Sequence, residues 1–182
     1  MIKIAGIGLL IFVVGLFLAT SPMAVVSAHG DDAQGSNPIV LHIHMGEFYF
    51  QLDGQAKGAP IVLEAGNTYV LQFHLDGKIR HEAMLGDPSQ LGMEDGMTHG
   101  YETNLLDDVD VRLMGTMNGA GFHVDTMGIM EIELDQDQLM EAQFTLPVGK
   151  VGTWEIGCFL IGHYEAGMKI PLIVVIPQQI NE

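Results

Sequence analysis

The chain has 182 residues, with 23 acidic against seven basic side chains, a formal net charge of −16 and a pI near 4.6. That balance makes nucleic acid and anionic membrane poor partners and a basic protein surface a suitable one. A single Cys excludes an internal disulfide framework, and no internal repeat is present.

The first 28 residues, MIKIAGIGLLIFVVGLFLATSPMAVVSA, combine Lys3, an apolar run from Ile4 to Ala19, Pro22 and a closing Val26-Ser27-Ala28. These are the parts of an export signal and its cleavage site. The stretch is also long enough to span a bilayer, so retention as an N-terminal anchor is the other reading. Both place the rest of the chain outside the cytoplasm, as in a periplasm, with membrane attachment only if the segment stays. Residues 29–38, HGDDAQGSNP, are expected to be a flexible lead-in, and residues 39–182 one domain of ordinary size.

From Ile39 the chain reads as short strands. In LHIHMGEFYFQL the apolar positions change parity, from Leu41, Ile43 and Met45 to Phe48, Phe50 and Leu52. A one-residue slip at Gly46, as in a β-bulge, would account for it. A short strand follows at Ile61–Glu64, and then NTYVLQFHLD, with Leu71, Phe73 and Leu75 on one face and Gln72, His74 and Asp76 on the other. Asp76-Gly77 marks a turn before HEAML.

Residues of about 86–128 are rich in Gly, Met and Asp and show no sustained period. They read as a long insertion with one short helix near Tyr101–Asp108. Later strands are expected at Ile129–Leu134, Ala142–Leu146, Val151–Cys158 and Lys169–Ile176. Inward positions would include Met130, Ile132, Leu134, Trp154, Ile156 and Cys158. Seven or more short strands with Gly-rich turns predict an all-β, antiparallel sandwich.

The chemistry concentrates in GCFLIGHYEAGMKIPLIVV, where Cys158, His163 and Met168 stand at equal intervals of five residues. Five steps bring neighbours together on neither a helix nor a strand. A tight loop can do so, and Gly157, Gly162 and Gly167 make one accessible. A lone Cys in an exported domain calls for a job other than a disulfide, and holding a metal is one. Thiolate, imidazole and a weak thioether suit copper in electron-transfer sites, which take two His and one Cys in a plane with a distant Met.

The second His must come from elsewhere among eight. His29 lies in the lead-in, His42 and His44 share a polar strand face, His74 points away from its apolar face, and His99 and His123 lie in the insertion. His81 opens a strand just after a turn and is the best candidate.

This pattern resembles the cupredoxins, the blue-copper proteins, over nearly all of residues 39–182. It consists of an early His81 after a Gly-containing turn, a late strand ending in Cys-x4-His-x4-Met, and one final strand. The ligand loop is similar to those of the rusticyanin and auracyanin types and of copper-tolerance cupredoxins. The resemblance implies a Greek-key β-sandwich with one type 1 copper per chain near one end. The metal would be held by His81, Cys158, His163 and Met168, and electrons would pass through the His163 edge. The chain departs from the family at Glu82, where Asn is common, and at Ile161, where Pro is common. Gly157 and Phe159 flank the Cys, so the His wiring of multicopper oxidases is missing, and a dinuclear CuA centre would need a second Cys.

The expected function is therefore non-enzymatic: single-electron transfer to a redox protein by Cu(II)/Cu(I) cycling. The alternative is a copper-tolerance or copper-delivery protein. A metal-free adhesion-like sandwich would leave the Cys–His–Met spacing unexplained. Seven Met from Met84 to Met130, with His99 and His123 among them, could take Cu(I), or could fill irregular packing and make adaptable surfaces. His42 and His44 could hold a surface ion or be a solvated strand face. Cleavage after Ala28 would make His29 the N-terminus, whose amine and imidazole could chelate Cu(II). Asp107, Asp108, Asp110, Glu131, Glu133, Asp135 and Asp137 could form a docking face or plain solvated surface. Trp154 and Phe159 are expected to pack in the core or shield the sulfur.

Overall fold

The computed structural model describes residues 37–117 and 119–177. The export segment, His29 and most of the lead-in lie outside the described residues. The strands are β1 (Ile39–Gly46), β2 (Tyr49–Leu52), β3 (Ile61–Glu64), β4 (Thr68–Leu75), β5 (His81–Gly86), β6 (Leu91–Glu94), β7 (Met97–Tyr101), β8 (Asp110–Met117), β9 (Ala120–Met127), β10 (Glu131–Leu134), β11 (Leu139–Thr145), β12 (Gly152–Gly157) and β13 (Lys169–Val175). Six form one sheet in the order β2-β1-β4-β11-β8-β9, five a second in the order β10-β5-β12-β13-β3, and β6-β7 a separate ribbon. No α-helix occurs among the described residues, and none is long and apolar enough to cross a membrane.

Alternation drives the sandwich. Ile43, Phe50, Leu71 and Phe73 from the first sheet meet Ile61, Ile132, Ile156, Ile170 and Leu172 from the second in one core cluster. Many outward positions are polar, His42, His44, Gln72, Glu131, Glu133 and Glu141 among them, as a sheet solvated on one side requires. The chain crosses directly from one sheet to the other between β2 and β3, β3 and β4, β4 and β5, β9 and β10, β10 and β11, and β11 and β12. The all-β, Greek-key sandwich is mixed rather than wholly antiparallel as expected: β1–β4 and β3–β13 run parallel, because the chain between them crosses to the other sheet and returns, while β12–β13 is antiparallel.

Two further expectations are corrected. The parity change at Gly46 is a hairpin, not a bulge: β1 and β2 pair antiparallel with Gly46 opposite Tyr49 and Met45 opposite Phe50. A two-residue turn always pairs odd with even positions, so both strands point the same residues inward. Phe48 is consequently a turn residue at φ +62, 45% exposed rather than buried. Gly46 leaves room for the Tyr49 ring, since a Cβ would lie 2.2 Å from it and force it to move.

The second correction concerns the middle of the chain. It is two hairpins, and β8–β9 extends the first sheet by pairing β8 with β11. At the expected helix the chain makes a single turn, with Val109 N donating to Leu106 O (3.2 Å) and Asp108 at φ +58. A left-handed Asp108 stops helix propagation. Leu105 and Leu106 on that turn are fully buried. Met130, expected inward, is 65% exposed because β10 begins one residue later.

Phe73 is wholly buried on central strand β4. Replacing it by Ala is expected to lower stability by about 3–5 kcal/mol in denaturant unfolding.

Candidate metal centre

His81 is the first residue of β5 and is fixed by pairing with Leu134 of β10. Cys158 follows directly on β12, and both side chains are fully buried. The segment to β13 is a series of turns: His163 N donates to Leu160 O (2.8 Å), Ala166 N to Gly162 O (3.1 Å) and Gly167 N to Tyr164 O (2.9 Å). Gly162 (φ +81) and Gly167 (φ +95) take the left-handed conformations these turns demand. The turns close through Met168, whose N–H donates to His163 O (3.0 Å) and whose carbonyl accepts from Cys158 N (3.1 Å).

The result is a convergence of donors. His163 Nδ1 lies 3.2 Å from His81 Nδ1 and 3.2 Å from Cys158 Sγ. The three ligand atoms all fall within 4.8 Å of one another. Donors sharing one ion at ordinary N and S bond lengths and near-tetrahedral angles sit about 3.2–3.6 Å apart, so the residues fit a single metal ion. The structure brings together three of the four residues that the sequence pattern singles out. Met168 is wholly buried in the same core cluster as Cys158 and is tied to the other two loop residues by its backbone.

Burial shapes the protonation of the set. It pushes the Cys158 thiol up to about 11, against partial relief from the Glu82 and Leu160 backbone N–H groups. The Glu82 N–H points at the sulfur at 3.5 Å. Burial also lowers the His81 pKa, and the His163 ring adds to this, so His81 is neutral with a lone pair to give at neutral pH. Its Nε2 is buried without a hydrogen-bond partner, leaving the tautomer unpinned and Nδ1 available.

The surroundings hold features that the sequence pattern did not reveal. Glu82 is 5% exposed and accepts a hydrogen bond from Phe159 N, tying β5 to the start of the loop. Desolvation raises its pKa. Phe159 stacks on Tyr164 (4.5 Å between centroids) and meets the edge of Tyr101 (4.8 Å). Tyr101 and Tyr164 both donate to Glu155 Oε1, at 3.0 and 2.7 Å. Tyr101 comes from β7, so the β6–β7 ribbon braces the metal loop. Gly157 permits this, since a Cβ there would lie 2.5 Å from the Tyr101 hydroxyl. Phe48 stands edge-on to His163 at 5.1 Å. Trp154 is half-buried against the core and donates to Lys150 O.

His42, His44 and His74 lie elsewhere, on the outer face of the first sheet. His99 and His123 are exposed on the two middle hairpins. Among the described residues, the His81–Cys158–His163 group is the one whose donor atoms close up in this way.

A late strand running into a Cys–His–Met loop and a final antiparallel strand, with an early His delivered by the neighbouring β5, is the arrangement the ligand pattern implied. The fold is cupredoxin-like. Structural comparison finds reduced auracyanin from the photosynthetic bacterium Roseiflexus castenholzii at 16% identity and a TM-score of 0.39, covering 78% of this chain and 99% of that one. It also finds reduced rusticyanin at 14% and 0.43, covering 77% and 82%. A multicopper oxidase from Campylobacter jejuni, a metallo-oxidase, aligns at 12% and 0.49, covering 80% of this chain. The chain spans about a third of that oxidase's length, 32%. At such identities no residue role passes from these proteins; the cupredoxin-like assignment rests on the strand order and the site on its own distances. Scans against protein-family models and the curated proteins return no match.

Metal binding must displace the Cys158 proton, because the thiol is protonated at any pH well below about 11. Apparent affinity should therefore rise about tenfold per pH unit between neutrality and mildly alkaline pH. Competition titrations with Co(II), read at the thiolate band and corrected for the competitor's own protonation, measure that slope. Cys158→Ser should abolish both the band and the slope.

Proposed function

We propose that this chain is a type 1 copper protein that carries single electrons outside the cytoplasm. In this reading, His81, Cys158 and His163 hold one copper and Met168 is a weak fourth ligand. The convergence of two imidazole nitrogens and one thiol on a single point, two of the three held by a turn-locked loop and the third by β5, carries the reading. Bound copper would supply the one-electron Cu(II)/Cu(I) couple.

The chain's own residues do the rest. Cys158 offers a soft sulfur that favours Cu(I), while the imidazoles tolerate both states. The Glu82 N–H directed at the sulfur and the dry surroundings of Cys158, His81 and Met168 stabilise the lower charge on the site. The closed turns and the Phe159–Tyr101–Tyr164 cluster resist rearrangement, which keeps the cost of changing charge small. His163 is half-exposed where the other three are buried, so its edge, beside Phe48, is the route to a partner. A basic redox protein would suit the chain's negative charge. The apolar first 28 residues support export.

Delivery or storage of copper is the second reading, and one observation favours it. Met93, Met97, Met127 and Met130 are between 50% and 69% exposed rather than filling gaps in the core. Surface thioethers can take Cu(I).

Copper titration of the purified chain, with Cys158→Ser alongside, tests the first reading by visible absorption and EPR. An intense thiolate-to-copper band that saturates at one equivalent and is absent from the variant is the expected result. Absence of that band from the fully copper-loaded wild type overturns it. A carrier should retain its copper against a chelator and be reduced and reoxidised reversibly. Several further equivalents of Cu(I), readily surrendered, would instead identify a delivery protein.

A further inference from the structure

His42 and His44 lie two apart on β1, facing outward, which by itself is an ordinary solvated strand. The parallel register of β1 with β4 changes this, since it sets His44 opposite His74 and His42 opposite Gln72. Three of the eight imidazoles thus meet on the outer face of the first sheet. His42 Nδ1 is 3.0 Å from His74 Nε2, and the His74 ring is stacked against both His42 (5.2 Å between centroids) and His44 (5.5 Å). His44 Nδ1 lies 3.1 and 3.0 Å from the two oxygens of Asp76.

We propose that the facing nitrogens of His42 and His74, with the His44 ring stacked beside them as a further imidazole, form a second metal site for a divalent late first-row ion, with Cu(II) preferred to Zn(II). It shares no residue with the Cys158 site and does not depend on it.

Several observations carry the proposal. Two ring nitrogens 3.0 Å apart are nearly at the separation of two donors on one ion. Asp76 accepts the Nδ1–H of His44, which fixes the tautomer and leaves Nε2 as its lone-pair donor; carboxylates behind metal-binding imidazoles act in this way. Asp76 and Glu141 both bear on His74 with negative charge, which favours a cation there. Glu141 is held by Gln72, the residue opposite His42, at 2.6 Å. The ligands stand on two hydrogen-bonded strands of a six-stranded sheet, so little ordering remains to be done on binding. Imidazole donors select Cu(II) over Zn(II) when geometry is permissive.

The test is a Cu(II) titration of the full chain and of a His42→Gln/His74→Gln double variant, followed by EPR. The wild type should bind one equivalent with imidazole-nitrogen couplings and no thiolate band, separate from any signal at Cys158. The double variant should lose that equivalent while keeping its thermal unfolding midpoint. Asp76→Asn should weaken it about tenfold. Cys158→Ser should leave it unchanged, so a missing thiolate band would count against the Cys158 reading alone. Absence of the nitrogen-coupled signal from the wild type, or its undiminished persistence in the double variant, overturns the proposal.

Discussion

Everything at the candidate centre depends on placing one sulfur, Cys158, in the dry interior at the end of β12 while leaving its loop free to fold back over it. The backbone does this with two bonds through Met168, one to Cys158 N and one to His163 O. Those bonds fix the distance along the loop, and the pairing of β5 with β12 and β10 fixes His81 across from it. A thiol so buried is pushed up to about 11 and would be inert on its own. A buried thiol beside two imidazole nitrogens becomes useful when an ion replaces its proton.

The middle of the chain belongs to the same construction. The β6–β7 ribbon contributes Tyr101, whose ring and hydroxyl join Phe159, Tyr164 and Glu155 around the start of the loop. The β8–β9 hairpin widens the first sheet on the side away from β1. One hairpin thus stiffens the centre, while the other presents exposed side chains, Met127 and His123 among them. Rigidity at the loop and adaptability at the surface are the different requirements of the two functional readings, and the fold houses both.

Spacing makes the candidate residues readable in the sequence, because Cys158, His163 and Met168 sit on one local loop whose glycines announce its turns. His81 was reached by weighing eight imidazoles against their strand faces, and the early strands followed from strict alternation. What escaped were features made by long-range pairing. The parity change at Gly46 fits a bulge or a two-residue hairpin equally well, and only the partner of β1 decides between them. The middle hairpins have too little alternation, with Gly, Met and Asp at turn and exposed positions alike, to declare themselves as strands. His74 pointed away from the core as expected, yet its meeting with His42 is a consequence of β1 running parallel to β4. Glu155 could not be linked to Tyr101 before their strands were placed.

X-ray absorption at the copper edge, on the oxidised and the reduced protein loaded with one equivalent, probes the central claim most directly. The account predicts one short sulfur and two imidazole nitrogens in both oxidation states, with little change in their distances between the two. A sulfur that is missing, or a ligand set that is replaced on reduction, would contradict it.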